Sequence, residues 1–374
     1  MSRSYTPGLK VLANTRIMKQ RQLPLKGEVL VELGTDVKAE TVVASTHIPG
    51  NIQMLNVARQ LNVEPENVPE CMLVKIDEEI KAGQIIAESR GIFGFFKSQL
   101  KAPIDGSLAN ISNVTGQAIV SEPPIPIEVD AYSSGKVSTI IPDEGVIIEA
   151  NGALIQGILG IGGENRGNLS VVVRSRSQVL TKELLDKSHK DKIIIGGSFV
   201  DLETFRLAQK LGVAAIIVGG FDYDDLSQIL GYNLGVAVTG SEELGTSLMI
   251  TEGFGHIDMA QHTFDLFKQF DGRFAAVNGS TQIRAGVIRP EVLIPHKENI
   301  VSRELKETDM IISEGSHVRV IRAPFFGNVG TVVSLPAPLT KLESETMVRV
   351  AEVKFENGTQ KVLPRANLEM ILLD

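Results

Sequence analysis

Through the first half of the chain the apolar residues come in short β-branched runs broken by glycine and proline. Examples are Gly-Glu-Val-Leu-Val-Glu-Leu-Gly from position 27, Glu-Thr-Val-Val-Ala-Ser from 40, Gly-Gln-Ile-Ile-Ala-Glu-Ser from 83, Gln-Ala-Ile-Val-Ser from 117 and Gly-Val-Ile-Ile-Glu-Ala from 145. Runs of this length, bounded by turn residues, predict closely spaced strands. One helix is predicted over residues 52–61. Within the region a phrase repeats: Asp36 to Ala44 is echoed by Glu79 to Ala87, and the second copy leads to an Asp105-Gly106 turn. The repeat predicts a pseudo-symmetric sandwich over residues 25–170.

From residue 192 the period changes. Apolar runs at 193–195, 214–218, 236–238 and 248–251 predict strands, and amphipathic stretches at 201–210, 224–230 and 258–270 predict helices, two of them closed by Gly231 and Gly272. This alternation predicts a small parallel α/β domain over residues 192–295. Beyond a linker at 296–312, residues 313–374 alternate apolar and polar positions, with an Asn357-Gly358 turn, and predict a small barrel. The chain thus reads as a multidomain α+β protein with a basic arm at 1–24 and a charged connector at 171–191.

Composition narrows the function classes. The 374 residues carry 37 Lys+Arg against 45 Asp+Glu, a formal charge of -8, with one cysteine and no tryptophan. The single thiol, Cys71, excludes an internal disulfide, a four-cysteine zinc site and a cysteine-held iron–sulfur cluster. No run approaches the length of a membrane span and no signal-peptide core is apparent, which points to a cytoplasmic protein. Arg3, Lys10, Arg16, Lys19, Arg21 and Lys26 occur in residues 1–26 without an acidic partner, so this arm is expected as an exposed edge able to attract anions.

Two stretches carry family resemblances. Lys81-Ala-Gly-Gln-x-Ile-Ala, Ala102-Pro-x-Asp-Gly-x-Leu and Gly116-x-Ala-Ile-Val resemble the barrel-sandwich hybrid fold of biotinyl and lipoyl carriers, membrane-fusion adaptors and the N-terminal part of the C subunit of Rnf-type electron-transport complexes. Carriers of this fold place a modified lysine between two methionines at a hairpin tip. Here the nearest hairpin reads Phe95-Phe96-Lys97-Ser98, which makes Lys97 a poor match. The stretch from Gly315 to Val333 resembles a KOW motif, the strand–loop–strand element of SH3-like barrels in transcription elongation factors and ribosomal proteins. The resemblance implies contact with a protein, RNA or ribonucleoprotein partner, with Arg319, Arg322, Phe325 and Phe326 at the contact loop. Residues 313–374 hold 7 Lys+Arg and 7 Asp+Glu, a neutral balance that favours a protein over a phosphate backbone.

Catalytic patterns are sparse. The glycines of 157–167 precede a strand instead of a helix, against a dinucleotide fingerprint, and no phosphate-binding loop occurs. His256 and His262 lie six apart and share no helix face. In an open parallel sheet ligands gather at the carboxyl ends of the strands, so the glycine-rich turns there form the candidate rim. Gly240, Glu252, Gly253 and Arg284 are its candidate ligand residues. A phosphate is disfavoured, because Asp201, Asp222 and Asp258 stand where they would cap the helix starts. These features lean away from an enzyme, imply no cofactor, and favour a scaffold or adaptor that binds a macromolecule through the C-terminal barrel. The alternative is an accessory or carrier-type subunit of an enzyme or electron-transfer assembly.

Overall fold

The computed structural model describes residues 9–89, 97–231, 244–281, 288–296, 311–322, 324–325, 328–341, 347–355 and 357–373. The protein is β-rich, with several sheets and few helices. Its first thirteen strands are β1 (Leu9–Gln22), β2 (Glu28–Val29), β3 (Asp36–Val37), β4 (Val42–Ile48), β5 (Ile52–Asn56), β6 (Glu79–Ile80), β7 (Ile85–Glu88), β8 (Gln99–Lys101), β9 (Gly106–Ser112), β10 (Gln117–Ser121), β11 (Ile125–Asp130), β12 (Gly135–Ile141) and β13 (Gly145–Gln156). Two short helices, α1 (Val57–Leu61) and α2 (Val68–Cys71), follow β5.

These strands form the same arrangement twice. In one unit β1 pairs with β13, β12 with β13 and β3, and β4 with β11 and β2. In the other β5 pairs with β10, β9 with β10 and β6, and β7 with β8, while Met72 bridges Ala87 as Val29 pairs with Ala44. The repeated phrase makes the same turn in both. Thr41 N donates to Lys38 O at 3.0 Å and Lys38 N to Thr41 Oγ1 at 3.1 Å; Gln84 N donates to Lys81 O at 2.9 Å and Lys81 N to Gln84 Oε1 at 2.9 Å. A glycine opens the next-to-last strand of each unit, β12 and β9, because the following strand's backbone leaves no room. A Cβ on Gly135 would lie 2.4 Å from Glu149 O, and one on Gly106 would lie 2.0 Å from Ser121 O. The second unit is inserted whole between β4 and β11 of the first, and it keeps a core of its own that includes Leu61, Val68, Ile86, Leu108 and Val120. The pseudo-symmetry is therefore nested.

The basic arm takes a different role from the one expected. From Leu9 onward it is β1, paired with β13 over ten positions, with Leu9, Val11, Leu12 and Ile17 buried. Arg16 reaches Glu149 at 2.7 Å, Lys19 reaches Glu291, and Arg21 reaches Glu164 at 2.8 Å and Asp130 at 3.2 Å. The arm lacks acids locally because its counter-charges come from distant strands.

The α/β region comprises β14 (Leu159–Ile161), β15 (Glu164–Val171), β16 (Val179–Leu180), β17 (Lys192–Ile195), β18 (Phe199–Val200), β19 (Ala215–Phe221), β20 (Ser247–Phe254), β21 (Phe274–Asn278) and β22 (Glu291–Pro295). Its helices are α3 (Leu202–Leu211), α4 (Tyr223–Leu230) and α5 (Gln261–Gln269). Strands β15, β17, β19 and β20 are parallel in that order; β21 and β14 add antiparallel edges, and β22 joins β21 to β13. Ile193 and Ile195 enter one core, with Phe264 and Phe267 of α5, and Ile194 enters the other, with Phe205 of α3 and Leu226 of α4. Burial on both faces explains the unbroken apolar runs. The segment expected as a connector is part of this region: Val173, Leu180 and Leu185 are buried, and β16 pairs with β18. The strand expected at 236–238 lies outside the described residues.

The last strands are β23 (His317–Val320), β24 (Val329–Ser334), β25 (Thr340–Lys341), β26 (Met347–Val348), β27 (Val350–Phe355), β28 (Gln360–Pro364) and β29 (Leu368–Leu373). The antiparallel order β29-β23-β24-β27-β28 surrounds a core of Val318, Val320, Val332, Val353, Phe355 and Leu368. The β27–β28 turn is made as expected, with Gly358 at φ 83° and Thr359 N donating to Asn357 Oδ1 at 3.0 Å. Strand β29 also pairs in parallel with Leu9–Val11 of β1, which joins this module to the first. Among the described residues no helix is long and apolar enough to cross a membrane.

Candidate functional site

The rim of the parallel strands faces the C-terminal module. Two of its helix starts are capped as the sequence predicts: Asp201 Oδ1 accepts from Thr204 N at 2.7 Å, and Asp222 Oδ1 accepts from Asp224 N at 2.8 Å and Asp225 N at 3.1 Å. Burial, with the nearby charge of Asp222, raises the Asp225 pKa above the usual carboxylate range. The third start differs. Helix α5 begins after Ala260 without a side-chain cap; Glu252 Oε1 accepts from Ala260 N at 3.0 Å, and Asp258 instead stands 4.0 Å from Arg176.

Glu252 meets Arg319. Arg319 is 1% exposed; its Nη1 donates to Thr251 O at 2.9 Å and lies 3.5 Å from Glu252 Oε2, while its Nη2 donates to Glu369. Glu369 also accepts from Arg289. Two arginines and two carboxylates thus alternate across the seam between β20, β23 and β29, as a buried cation requires. Arg319 is occupied inside the protein and absent from the surface where the KOW-like reading expects it. The reason is register: at positions 317–320 the pattern of exposed and buried residues puts Val318, Arg319 and Val320 all inside, because β23 is covered on both faces.

Beside this seam lies a cavity of about 300 Å³, lined by residues that include Glu252, Ala260, His262 and Thr263 on the α/β side. Its other wall is one transverse row of directly paired residues across five strands: Leu9, Ile371, His317, Thr331 and Lys354. Paired residues share a sheet face, so the row runs from buried apolar side chains at Leu9 and Ile371 to exposed polar ones at His317 and Lys354. A groove of about 820 Å³ adjoins it, sharing Glu252, Ala260, Val329 and Phe355 and adding Arg176, His256 and Asp258. His262 Nε2 is buried with no hydrogen-bond partner among the described residues.

Neither a family model nor a curated protein matches this chain.

Gly253 is in β20, opposite Gly220. Gly240, Arg284 and Phe326 lie outside the described residues. Arg322 is exposed. Phe325 is half-buried, its ring 5.8 Å from that of Phe355 and covered by Lys361 at 5.8 Å. Lys97 is bound to Glu88 at 2.6 Å, and this hydrogen bond holds the Glu88 carboxyl below its usual range. No group of three or more His, Cys, Asp or Glu side chains suited to a metal occurs among the described residues.

A second polar cluster has no counterpart in the sequence reading. Asp130 accepts from Arg21 and Arg166, and with Tyr132, Glu164 and Asn165 it lines a cavity of about 160 Å³. Burial would lower the Arg21 pKa, but the hydrogen bond and charge of Glu164, with the charge of Asp130, outweigh it and raise the value. Tyr132 is 4% exposed, has a left-handed φ of 64°, and its hydroxyl has no partner among the described residues. Burial, then the charges of Glu291 and Glu164, push its pKa well above the ordinary tyrosine value. His262 in α5, Lys354 in β27 and Tyr132 between β11 and β12 carry no local motif; only the packing of elements far apart in sequence gives them their surroundings.

Proposed function

We propose that the protein is a scaffold or adaptor that binds a macromolecular partner, a protein before an RNA or ribonucleoprotein, through the outer surface of its C-terminal module. The observation that carries this reading is a set of large apolar side chains left in solvent there: Ile321, Val333, Leu339, Met347 and Val362, from 37 to 55% exposed. Val362 stands directly across from Glu352, which accepts from Ser334 Oγ at 3.0 Å beside Val333. Large apolar side chains left exposed beside polar neighbours, as Val333 and Val362 are beside Glu352, favour a protein surface as the partner. With Arg319 enclosed in its ion pairs, the surface cation of β23 and its loop is Arg322, a further reason to rank protein above phosphate contact.

The test compares partner capture by wild type, Val362→Asp and Arg322→Glu. Both positions are exposed, so both variants should keep the wild-type melting temperature within the small change typical of surface substitutions. Val362→Asp should lose the partner. Capture that vanishes on nuclease treatment or only with Arg322→Glu would assign RNA instead, and capture unchanged in both variants would refute this surface.

A further inference from the structure

We propose that the cavity between α5 and the C-terminal sheet binds a small organic anion, a carboxylate with a short apolar body. Its shape and chemistry are both graded. The deep end is walled by Leu9, Val11 and Ile371, with Phe355 and Val329 alongside, and the row then continues through His317 and Thr331 to Lys354. An apolar body fits the first part and a polar head the second. The volume, about 300 Å³, is at the lower end of the range typical of small-molecule sites.

The sign of the head group follows from the charges that face the space. Glu252 is the acid of the lining, and Arg319 and the Ala260 amide already bind its two oxygens. Lys354 is exposed and in none of the ion pairs formed by the described residues. His317 holds Thr331 Oγ1 at 3.4 Å through Nδ1, and its other nitrogen has no partner among the described residues. The first turn of α5 carries no acidic side chain. A carboxylate at the polar end of the row would pair with Lys354 and His317 together, since both flank Thr331 on one sheet face. Inorganic phosphate would satisfy the head and leave the apolar half empty.

The full-length protein is titrated calorimetrically with phenylacetate, with its neutral isostere phenylacetamide, and with inorganic phosphate. Saturable binding of phenylacetate is expected, with the amide and phosphate each weaker by about tenfold or more, the worth of a charge-assisted hydrogen bond. Lys354→Gln should weaken phenylacetate by about tenfold and leave the amide unchanged. His317→Phe keeps a ring and removes both nitrogens at an exposed position, so it should weaken phenylacetate and leave the melting temperature within the small change typical of surface substitutions. The proposal is overturned if phenylacetate does not saturate, if the amide or phosphate binds as well, or if both variants bind phenylacetate like wild type.

Discussion

Replacing Arg319 by Met removes one cation from the alternating pairs at the seam and keeps most of the side-chain volume. Three interactions go: the bond to Thr251 O at 2.9 Å, the contact with Glu252 at 3.5 Å, and the bond to Glu369. Breaking a buried pair by deleting one partner costs about 3–5 kcal/mol, because a charge is left without compensation. Here both carboxylates keep something. Glu369 retains Arg289 and Glu252 retains the Ala260 amide, so the loss belongs at the lower end, about 3 kcal/mol. For a cooperative unit of roughly 200 residues, 1 kcal/mol corresponds to roughly 2–4 °C, and the melting temperature should fall by roughly 6–12 °C. Differential scanning calorimetry of wild type, Arg319→Met and Arg322→Ala makes the comparison internal. Arg322 is exposed, and its removal should change stability by no more than about 0.5 kcal/mol. If Arg319→Met melts within about 1 °C of wild type, the guanidinium is not a buried, paired group, and the joining of the C-terminal module to β20 is refuted.

Three further outcomes are open to measurement. Tyr132 is neutral in the folded protein above the pH at which the unfolded chain ionises it, so its contribution holds below about pH 10 and is lost as pH rises further; urea midpoints between pH 9 and 11 should fall more steeply for wild type than for Tyr132→Phe, and equal slopes would contradict the burial. Gly106→Ala should cost about 1–3 kcal/mol through the clash with Ser121 O, whereas Gly83→Ala, with φ 84° and open space around it, should cost about 1 kcal/mol for the left-handed backbone alone; chemical denaturation that reverses this order would refute the close approach. Because Ile48 and Ile125 are directly paired, replacing residues 49–124 by Asn-Gly should close β4 and β11 as a two-residue hairpin, and the excised unit should fold by itself on its own core; circular dichroism and amide dispersion showing either piece unfolded would count against the nested arrangement.

The elements with strong local patterns were legible in advance. The repeated phrase at 36–44 and 79–87 forms matching turns, the runs at 193–195 and 248–251 lie in strands and that at 214–218 does so from Ala215, Asp201 and Asp222 cap their helices, and Asn357-Gly358 turns β27 into β28. Each depends on interactions within a few residues, where hydrogen-bond reach and φ preference decide the outcome. Nesting was not legible, because the 36–44 phrase is the same whether its hairpin closes at once or after an inserted unit.

The charges divide in the same way. The sequence alone determines how many there are, that the arm at 1–26 lacks acids, and that one cysteine excludes several metal and disulfide chemistries. Which charge meets which was decided by tertiary structure. Arg21 finds Asp130 and Glu164, Lys19 finds Glu291, and Arg319 finds Glu252 and Glu369, across separations that run from 50 residues (Arg319 to Glu369) to 272 (Lys19 to Glu291). Asp258 sits at a helix start by pattern, yet Glu252, held in place by β20, takes the Ala260 amide. Strand register and the approach of two sheets fix these pairings, because a charge carried inside must meet its opposite wherever the fold puts one. The cavity row from Leu9 to Lys354 has the same origin: five residues from five strands face one space only after the sheet has formed.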